Sequence, residues 1–204
     1  TAKVAGGVRG VYETAVDPKK LDEALFPGRP LQGLRLVETF AGNPTKGGCM
    51  LSRSWEKAAG RAERRDIEIK ASHDFLRDEA YWVKERAEPA DTYGFAPPCT
   101  SFTIAHTTPK LRSTEAPYGD PNNPVVAEGN RFAFLTVRRA LAMISMGSHI
   151  LIENPLMSFF WLLHETQALM GTIGLHLVRI DQCTVGTPYK KPQLWLTTIA
   201  ALKE

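Results

Sequence analysis

The chain has 204 residues and 43% of them are hydrophobic, which is enough for one full-sized core, so we expect one main domain. Its 25 basic and 22 acidic residues are mixed along the chain and give a net charge of +3, which permits a polyanionic partner without requiring one. No apolar run reaches the length of about 18 residues that a membrane-spanning helix needs, so we expect no membrane partner.

The three cysteines lie far apart in the sequence, at Cys49, Cys99 and Cys183, and form no Cys-x-x-Cys motif. This spacing argues against a zinc site or a disulfide framework and indicates free thiols in an intracellular, reducing compartment. His164-Glu165 lacks the second histidine four residues on that a helical metal site would need, since Ala168 stands there. We therefore expect no metal.

Residues 1–33 predict an appendage to the main domain, with a helix from Asp17 to Leu25 and a breaker at Pro27-Gly28. From residue 34 to residue 204, apolar strands alternate with glycine turns and helices, a pattern typical of βαβ units and a parallel sheet. The predicted strands are 34–40, 64–69, 92–96 and 149–154, followed by a close antiparallel pair at 175–180 and 194–199. The predicted helices are one ending at residue 59 and three spanning about 78–87, 125–146 and 158–170.

The helix over 125–146 has apolar residues at helical spacing, which predict its buried face: Phe134, Val137, Leu141 and Ile144. In the next helix we expect Phe159, Phe160 and Trp161 to pack in the core.

Cys99 follows two prolines directly after a predicted strand. Pro97-Pro98 excludes a helix and stiffens the chain, so the strand ends abruptly and presents a thiol at its carboxyl edge, where open α/β sheets bind their ligands. Glu153-Asn154-Pro155 ends a later strand in the same way. Cys99 is therefore a candidate nucleophile with Glu153 as its partner; the alternative is a small buried side chain and a solvated carboxylate.

Four segments occur in an order that is known from one family. They are Phe40-Ala41-Gly42 after a strand, Pro97-Pro98-Cys99 with Ser101-Phe102, Glu153-Asn154-Pro155 after a strand, and the run from Gly186 to Pro192 before the last strand. With these motifs, residues 34–200 resemble the DNA (cytosine-5) methyltransferases. The resemblance implies a Rossmann-like, doubly wound α/β fold with a mostly parallel seven-stranded sheet and a terminal antiparallel hairpin.

The resemblance also implies a reaction and a substrate. Cys99 would add as a thiolate to carbon 6 of cytosine, and Glu153 would hydrogen-bond ring nitrogen 3 and the exocyclic amine. Turn amides after Cys99 would lower its pKa. The implied substrate is DNA, with RNA as a variant, and the implied substrate-binding residues are Ser101, Asn154, Lys190 and Lys191.

The implied cofactor is S-adenosyl-L-methionine. Asp66 would accept hydrogen bonds from its ribose hydroxyls, with its near neighbour Glu68 as the alternative; Asp74 would reach the adenine amine and Glu38 the amino group. Gly42 would allow the backbone to approach the ligand closely. The full set of implied cofactor-binding residues is Glu38, Phe40, Ala41, Gly42, Asp66, Asp74 and Pro97.

The chain departs from the family pattern at three places. Gly42-Asn43-Pro44-Thr45 replaces a Gly-x-Gly-Gly loop. Lys190-Lys191-Pro192-Gln193 replaces an Arg-x-Arg segment, so lysine ammonium groups would contact phosphate and base in place of the two-pronged guanidinium groups of arginine. The resemblance includes no target-recognition domain, which implies a separate recognition subunit or a larger assembly. Two other functions remain open: a catalytically inactive module of methyltransferase fold, and an amino-methyltransferase, which Ala96 and Cys99 disfavour because that class has an acid, amide or serine and an aromatic residue there.

Overall fold

The structure, a computed structural model, describes residues 32–42, 45, 50–57, 60–103, 110–181 and 191–203. The predicted helix over 17–25 and nearly all of the predicted appendage lie outside these residues. So does Lys190.

The described residues form an α/β structure with one mixed six-stranded sheet. The strands are β1 (Arg35–Thr39), β2 (Arg61–Arg65), β3 (Thr92–Phe95), β4 (His149–Pro155), β5 (His176–Asp181) and β6 (Pro192–Thr197). Their order is β2-β1-β3-β4-β6-β5. Strands β2, β1, β3 and β4 pair in parallel, whereas β6 is antiparallel to both β4 and β5. The architecture agrees in general with a Rossmann-like fold.

The described residues form a mixed sheet of six strands and not the predicted mostly parallel sheet of seven, because β6 pairs antiparallel with both of its neighbours. The terminal antiparallel pair is confirmed. Strand β2 ends at Arg65 and not at residue 69, because the Asp66 carboxylate accepts the Glu68 N–H at 2.8 Å and the Asp66 carbonyl accepts the Ile69 N–H at 3.0 Å. These bonds turn the chain out of the sheet.

Within the described part of the chain, four α-helices connect the strands: α1 (Met50–Lys57), α2 (Glu79–Ala87), α3 (Pro124–Ser145) and α4 (His164–Met170). The predictions for α2 and α3 are confirmed to within one residue. The predicted helix over 158–170 divides into a short 3-10 helix, Phe159–Leu162, and α4. Leu163 between them has extended backbone, with ψ of 140°, which interrupts the helical hydrogen bonds.

Two hydrophobic clusters cover opposite faces of the sheet, because neighbouring strand residues alternate between them. Val37 belongs to the larger cluster and Leu36 to the smaller one, and Ile150 and Leu151 divide in the same way. Phe160 and Trp161 are buried in the larger cluster and Phe159 packs against it, as predicted.

The buried face of α3 differs from the predicted one. Phe134 is 39% exposed and Leu141 is 44% exposed, whereas Val137 is buried and Ile144 is partly buried. The other buried residues of α3 are Val126, Gly129, Ala133, Thr136, Arg139, Ala140 and Met143. A helix with apolar residues on several faces does not reveal from its sequence which face the sheet will cover.

Candidate functional site

Cys99 and Glu153 lie at the carboxyl ends of adjacent parallel strands. Phe95 of β3 pairs with Ile152 of β4, so the loop after β3 and the end of β4 meet at one edge of the sheet. The two groups interact electrostatically, since Glu153 raises the pKa of Cys99, and Lys191 lowers the pKa of both. The fold thus brings together three of the residues that the sequence predicted.

Burial is the main influence on the pKa of both Cys99 and Glu153. It raises the pKa of the half-buried Cys99 thiol, and this outweighs the lowering effects of Lys191 and of the residue's own amide. The prediction of a lowered Cys99 pKa is therefore wrong in direction. Burial also raises the pKa of Glu153, against smaller opposing contributions from Lys191 and from the Gln193 side chain that donates to it. Burial thus disfavours ionisation of both groups, the thiol and the carboxyl.

Asn154 holds the loop that carries Cys99. Its side chain is 1% exposed, and Nδ2 donates to the Pro97 carbonyl at 3.0 Å. After the prolines, the Cys99 carbonyl accepts the N–H groups of Phe102 and Thr103, both at 2.9 Å, which closes a helical turn. Asn154 and Pro97 were predicted to contact substrate and cofactor; in the structure both are buried and position the thiol.

Ser101 is also buried, and its Oγ accepts a hydrogen bond from Arg112 at 3.0 Å. Its predicted contact with substrate is therefore replaced by a contact inside the protein. Sequence reasoning missed Arg112, because a single arginine in a loop rich in Thr, Pro, Gly and Asn carries no local sign of burial.

A cavity of about 350 Å³ opens at the carboxyl ends of β1 and β2. Three predicted cofactor residues line it: Phe40, Asp66 and Asp74. Its aromatic wall is built from Phe40 and two rings that sequence reasoning did not select, Phe75 and Phe132, whose centroids lie 4.5 Å and 5.5 Å from that of Phe40. Pro98, the residue before Cys99, also lines the cavity and connects it to the thiol loop.

The two predicted acids shape the loops around this cavity. Asp66 Oδ2 accepts the Gly42 N–H at 2.9 Å, and Asp74 Oδ1 accepts the Leu76 N–H at 3.0 Å. Gly42 has φ of +70°, which favours glycine, and Phe40 adopts φ of +59° although it has a side chain. Strain of this kind concentrates at functional sites.

The remaining predicted cofactor residues do not line the cavity. Glu38 accepts the Ser52 N–H at 2.9 Å and so holds the first turn of α1, and burial raises its pKa. Ala41 is buried, and its N–H donates to the Arg65 carbonyl at 3.4 Å. These residues support the loop after β1 and do not contact the open space.

The cavity lining is acidic on balance. Arg65 pairs with Asp78 and Arg77 with Asp74, so these charges cancel and three acids remain against one arginine. The charged lining residues are the five acids Asp66, Glu68, Asp74, Asp78 and Glu128, and the three arginines Arg65, Arg77 and Arg131. Such a lining favours a cationic ligand that donates hydrogen bonds over a polyphosphate.

Among the residues that the structure describes, no group of His, Cys, Asp or Glu side chains is arranged to hold a metal ion. Within the same residues, no helix is long and apolar enough to cross a membrane.

No protein-family model, curated protein or solved structure matches this chain. The functional interpretation therefore depends on the geometry of the thiol site and of the cavity beside it.

Proposed function

We propose that this chain is an S-adenosylmethionine-dependent cytosine-5 methyltransferase that acts on nucleic acid, with DNA favoured over RNA. The observation that supports this most is the meeting of Cys99 and Glu153 at adjacent strand ends, electrostatically coupled and joined through Pro98 to an aromatic, acidic cavity. The mixed α/β sheet with its antiparallel last pair agrees with the methyltransferase fold.

Cys99 is the nucleophile in this proposal. Carbon 5 of cytosine is a weak nucleophile, and formation of a bond between the Cys99 sulfur and carbon 6 makes the ring enamine-like, with electron density at carbon 5. Attack requires the thiolate, and because burial raises the pKa of Cys99, the thiol must release its proton to solvent before the sulfur bonds to carbon 6. Lys191 stabilises the resulting thiolate, since its charge lowers the pKa of Cys99.

Glu153 is the acid that holds the base. Its raised pKa favours the protonated carboxyl, which can donate to ring nitrogen 3 while its second oxygen accepts from the exocyclic amine. The Glu153 carboxylate raises the pKa of the Cys99 thiol, so the pH profile of the reaction should depend on both groups.

The cavity fits the proposed cofactor in size and in chemistry. Its volume of about 350 Å³ lies in the usual range for small-molecule sites. Phe40, Phe75 and Phe132 offer aromatic faces for an adenine ring, and Asp66 and Asp74 offer acceptors for hydroxyl and amine donors. S-adenosylmethionine would supply an electrophilic methyl group on a positively charged sulfur, which the acidic lining favours.

Covalent trapping tests the proposal. An oligonucleotide with 5-fluorocytosine and S-adenosylmethionine should give a protein adduct that is stable to denaturation, because fluorine blocks the release of the base. Cys99→Ser should abolish the adduct, and the control variants Cys49→Ser and Cys183→Ser should retain it. Single-stranded DNA, duplex DNA and RNA probes identify the substrate. An adduct that persists in Cys99→Ser would contradict the assignment.

A catalytically inactive binding module is the second candidate. It is favoured by the raised pKa of Cys99 and by Asp66, which uses both carboxylate oxygens on backbone N–H groups. Calorimetry at millimolar S-adenosylmethionine separates the two functions. If neither cofactor binding nor the covalent adduct is observed, the inactive binding module is the supported function.

A further inference from the structure

Arg112 is almost fully buried, and each of its five N–H groups has an acceptor. Nε donates to the Ser101 carbonyl at 2.9 Å. Nη1 donates to the Pro117 carbonyl at 2.8 Å and to Asn130 Oδ1 at 2.7 Å. Nη2 donates to Ser101 Oγ at 3.0 Å and to the Val126 carbonyl at 3.1 Å. One side chain therefore joins the turn after Cys99, the loop before α3 and the first turns of α3.

These five acceptors are uncharged oxygens. Burial accordingly lowers the pKa of Arg112 to about 10, which leaves the side chain protonated at neutral pH. The guanidinium also lies 3.8 Å from the centroid of the Phe102 ring, in a cation–π contact. Burying a charge is costly unless every donor is satisfied, so the interaction is sensitive to small displacements of its partners.

The contacts of Arg112 hold one side of the Cys99 turn. Phe102 and Thr103 donate to the Cys99 carbonyl, and Arg112 contacts Ser101 and Phe102 within the same turn. The other side of the loop is held by Asn154 through the Pro97 carbonyl.

Gly129 of α3 makes the contact sterically possible. A Cβ atom at this position would lie 2.2 Å from Ser101 Oγ and 3.1 Å from Arg112 Nη2. Both distances are shorter than ordinary van der Waals contact, so a Cβ atom at Gly129 would force the Ser101 hydroxyl and the guanidinium to move and would disturb the hydrogen bond between them.

We propose that Arg112 is the positioning residue of the thiol site, which holds the Cys99 turn against α3 and so keeps the sulfur half-buried beside Glu153. The inference rests on the proposed function only for its role in catalysis, since the placement of the thiol can be measured without any methyl transfer.

The test measures alkylation of Cys99 by iodoacetamide in the full chain, from about pH 6 to pH 10, with peptide mass mapping to separate Cys99 from the other cysteines. Arg112→Met removes all five donors but retains an apolar side chain. The turn should loosen and hydrate the thiol, so the apparent pKa of Cys99 should fall toward its ordinary value. Below that pKa the alkylation rate should rise by about threefold for each unit of the fall, because weaker nucleophilicity offsets part of the tenfold gain in thiolate.

Three further variants give the test its controls. Arg112→Lys should restore part of the wild-type profile, and Gly129→Ala should reproduce the Arg112→Met profile from the other side of the contact. Arg139→Met is the matched control. Arg139 is equally buried and stacks on Phe75 and Trp82, 4.1 Å and 4.6 Å from their ring centroids, but its contacts lie on the cavity side. It should lose stability and leave the Cys99 profile unchanged.

Thermal unfolding of every variant identifies those that remain folded at the assay temperature. If Arg112→Met does not fold, Gly129→Ala and Arg112→Lys provide the comparison. An unchanged Cys99 profile in the folded variants, or an equal shift in Arg139→Met, would overturn the proposal. If the Cys99 alkylation profile shifts in the variants but the wild-type protein forms no fluorocytosine adduct, the positioning role is supported and the proposed function is contradicted. If the adduct forms but the alkylation profile does not shift, the proposed function is supported and the positioning role is contradicted.

Discussion

Glu153 shows how a single residue can oppose stability in a functional site. Its carboxyl lies beside Cys99, accepts a hydrogen bond from Gln193, and has its pKa raised by burial. The native state therefore binds this proton more tightly than the unfolded chain does. The stability that the group contributes is complete below the unfolded pKa of about 4.3 and is lost as pH rises through the higher folded pKa.

Glu153→Gln should therefore stabilise the protein near pH 7, by on the order of 1 kcal/mol, and change it little near pH 4. The amide retains the shape of the side chain and an acceptor for Gln193 but cannot ionise. Urea unfolding at both pH values measures the difference. Glu128→Gln, which changes an exposed carboxylate, is the control, and an equal gain at both pH values for Glu153→Gln would contradict the argument.

At the scale of elements, α3 connects the two halves of the site. Gly129 and Asn130 meet Arg112 behind the Cys99 turn, and Phe132 lies in the cavity wall. About two turns further on, Arg139 stacks on Phe75, another wall residue. Because these residues share one rigid helix, the start of α3 sets the position of all of them.

The N-cap of α3 is Asn123, whose side chain accepts the N–H groups of Val125 and Val126 at 3.0 Å and 3.3 Å. Asn123→Ala should reduce the free energy of unfolding by about 1 kcal/mol, because a helix-end donor loses its acceptor. Asn122→Ala, which changes an exposed neighbour in the preceding turn, should reduce the free energy of unfolding by less. Denaturant unfolding compares the two, and equal losses would show that the cap does not stabilise α3.

At the scale of the whole molecule, the parallel strands place the cavity and the thiol site at one edge of the sheet. The cavity is formed mainly by residues at and after the ends of β1 and β2 together with α3, and the thiol site by the loop after β3 and the end of β4. A ligand in the cavity would therefore contact segments that are distant in the sequence, and its binding should stabilise the domain as a unit.

S-adenosylmethionine at 100 times its dissociation constant should increase the free energy of unfolding by about 2.7 kcal/mol, which thermal unfolding detects as a higher midpoint. At the same ligand concentration, Asp74→Asn should show a smaller increase in the unfolding midpoint, because it removes a charge from the lining while retaining the acceptor for Leu76. Asp120→Asn is the matched control, since Asp120 Oδ1 accepts the N–H of Asn122 at 2.9 Å in an exposed turn of the same type. Equal effects of the two variants would place the ligand elsewhere.

The sequence by itself determined the alternation of strands and helices and the placement of Cys99 and Glu153 at strand ends. These features depend on local rules: proline stops a strand, asparagine caps a helix, and apolar runs form buried strands.

Only the tertiary structure decided which residues face the cavity and which hold its walls. Arg112 and Asn154 reach the Cys99 loop across 11 and 57 positions, and Phe132 meets Phe40 from a different element. Phe134 and Phe132 lie on the same helix, yet one is exposed and the other lines the cavity. Such roles arise from the packing of distant segments, and the local sequence pattern does not encode them.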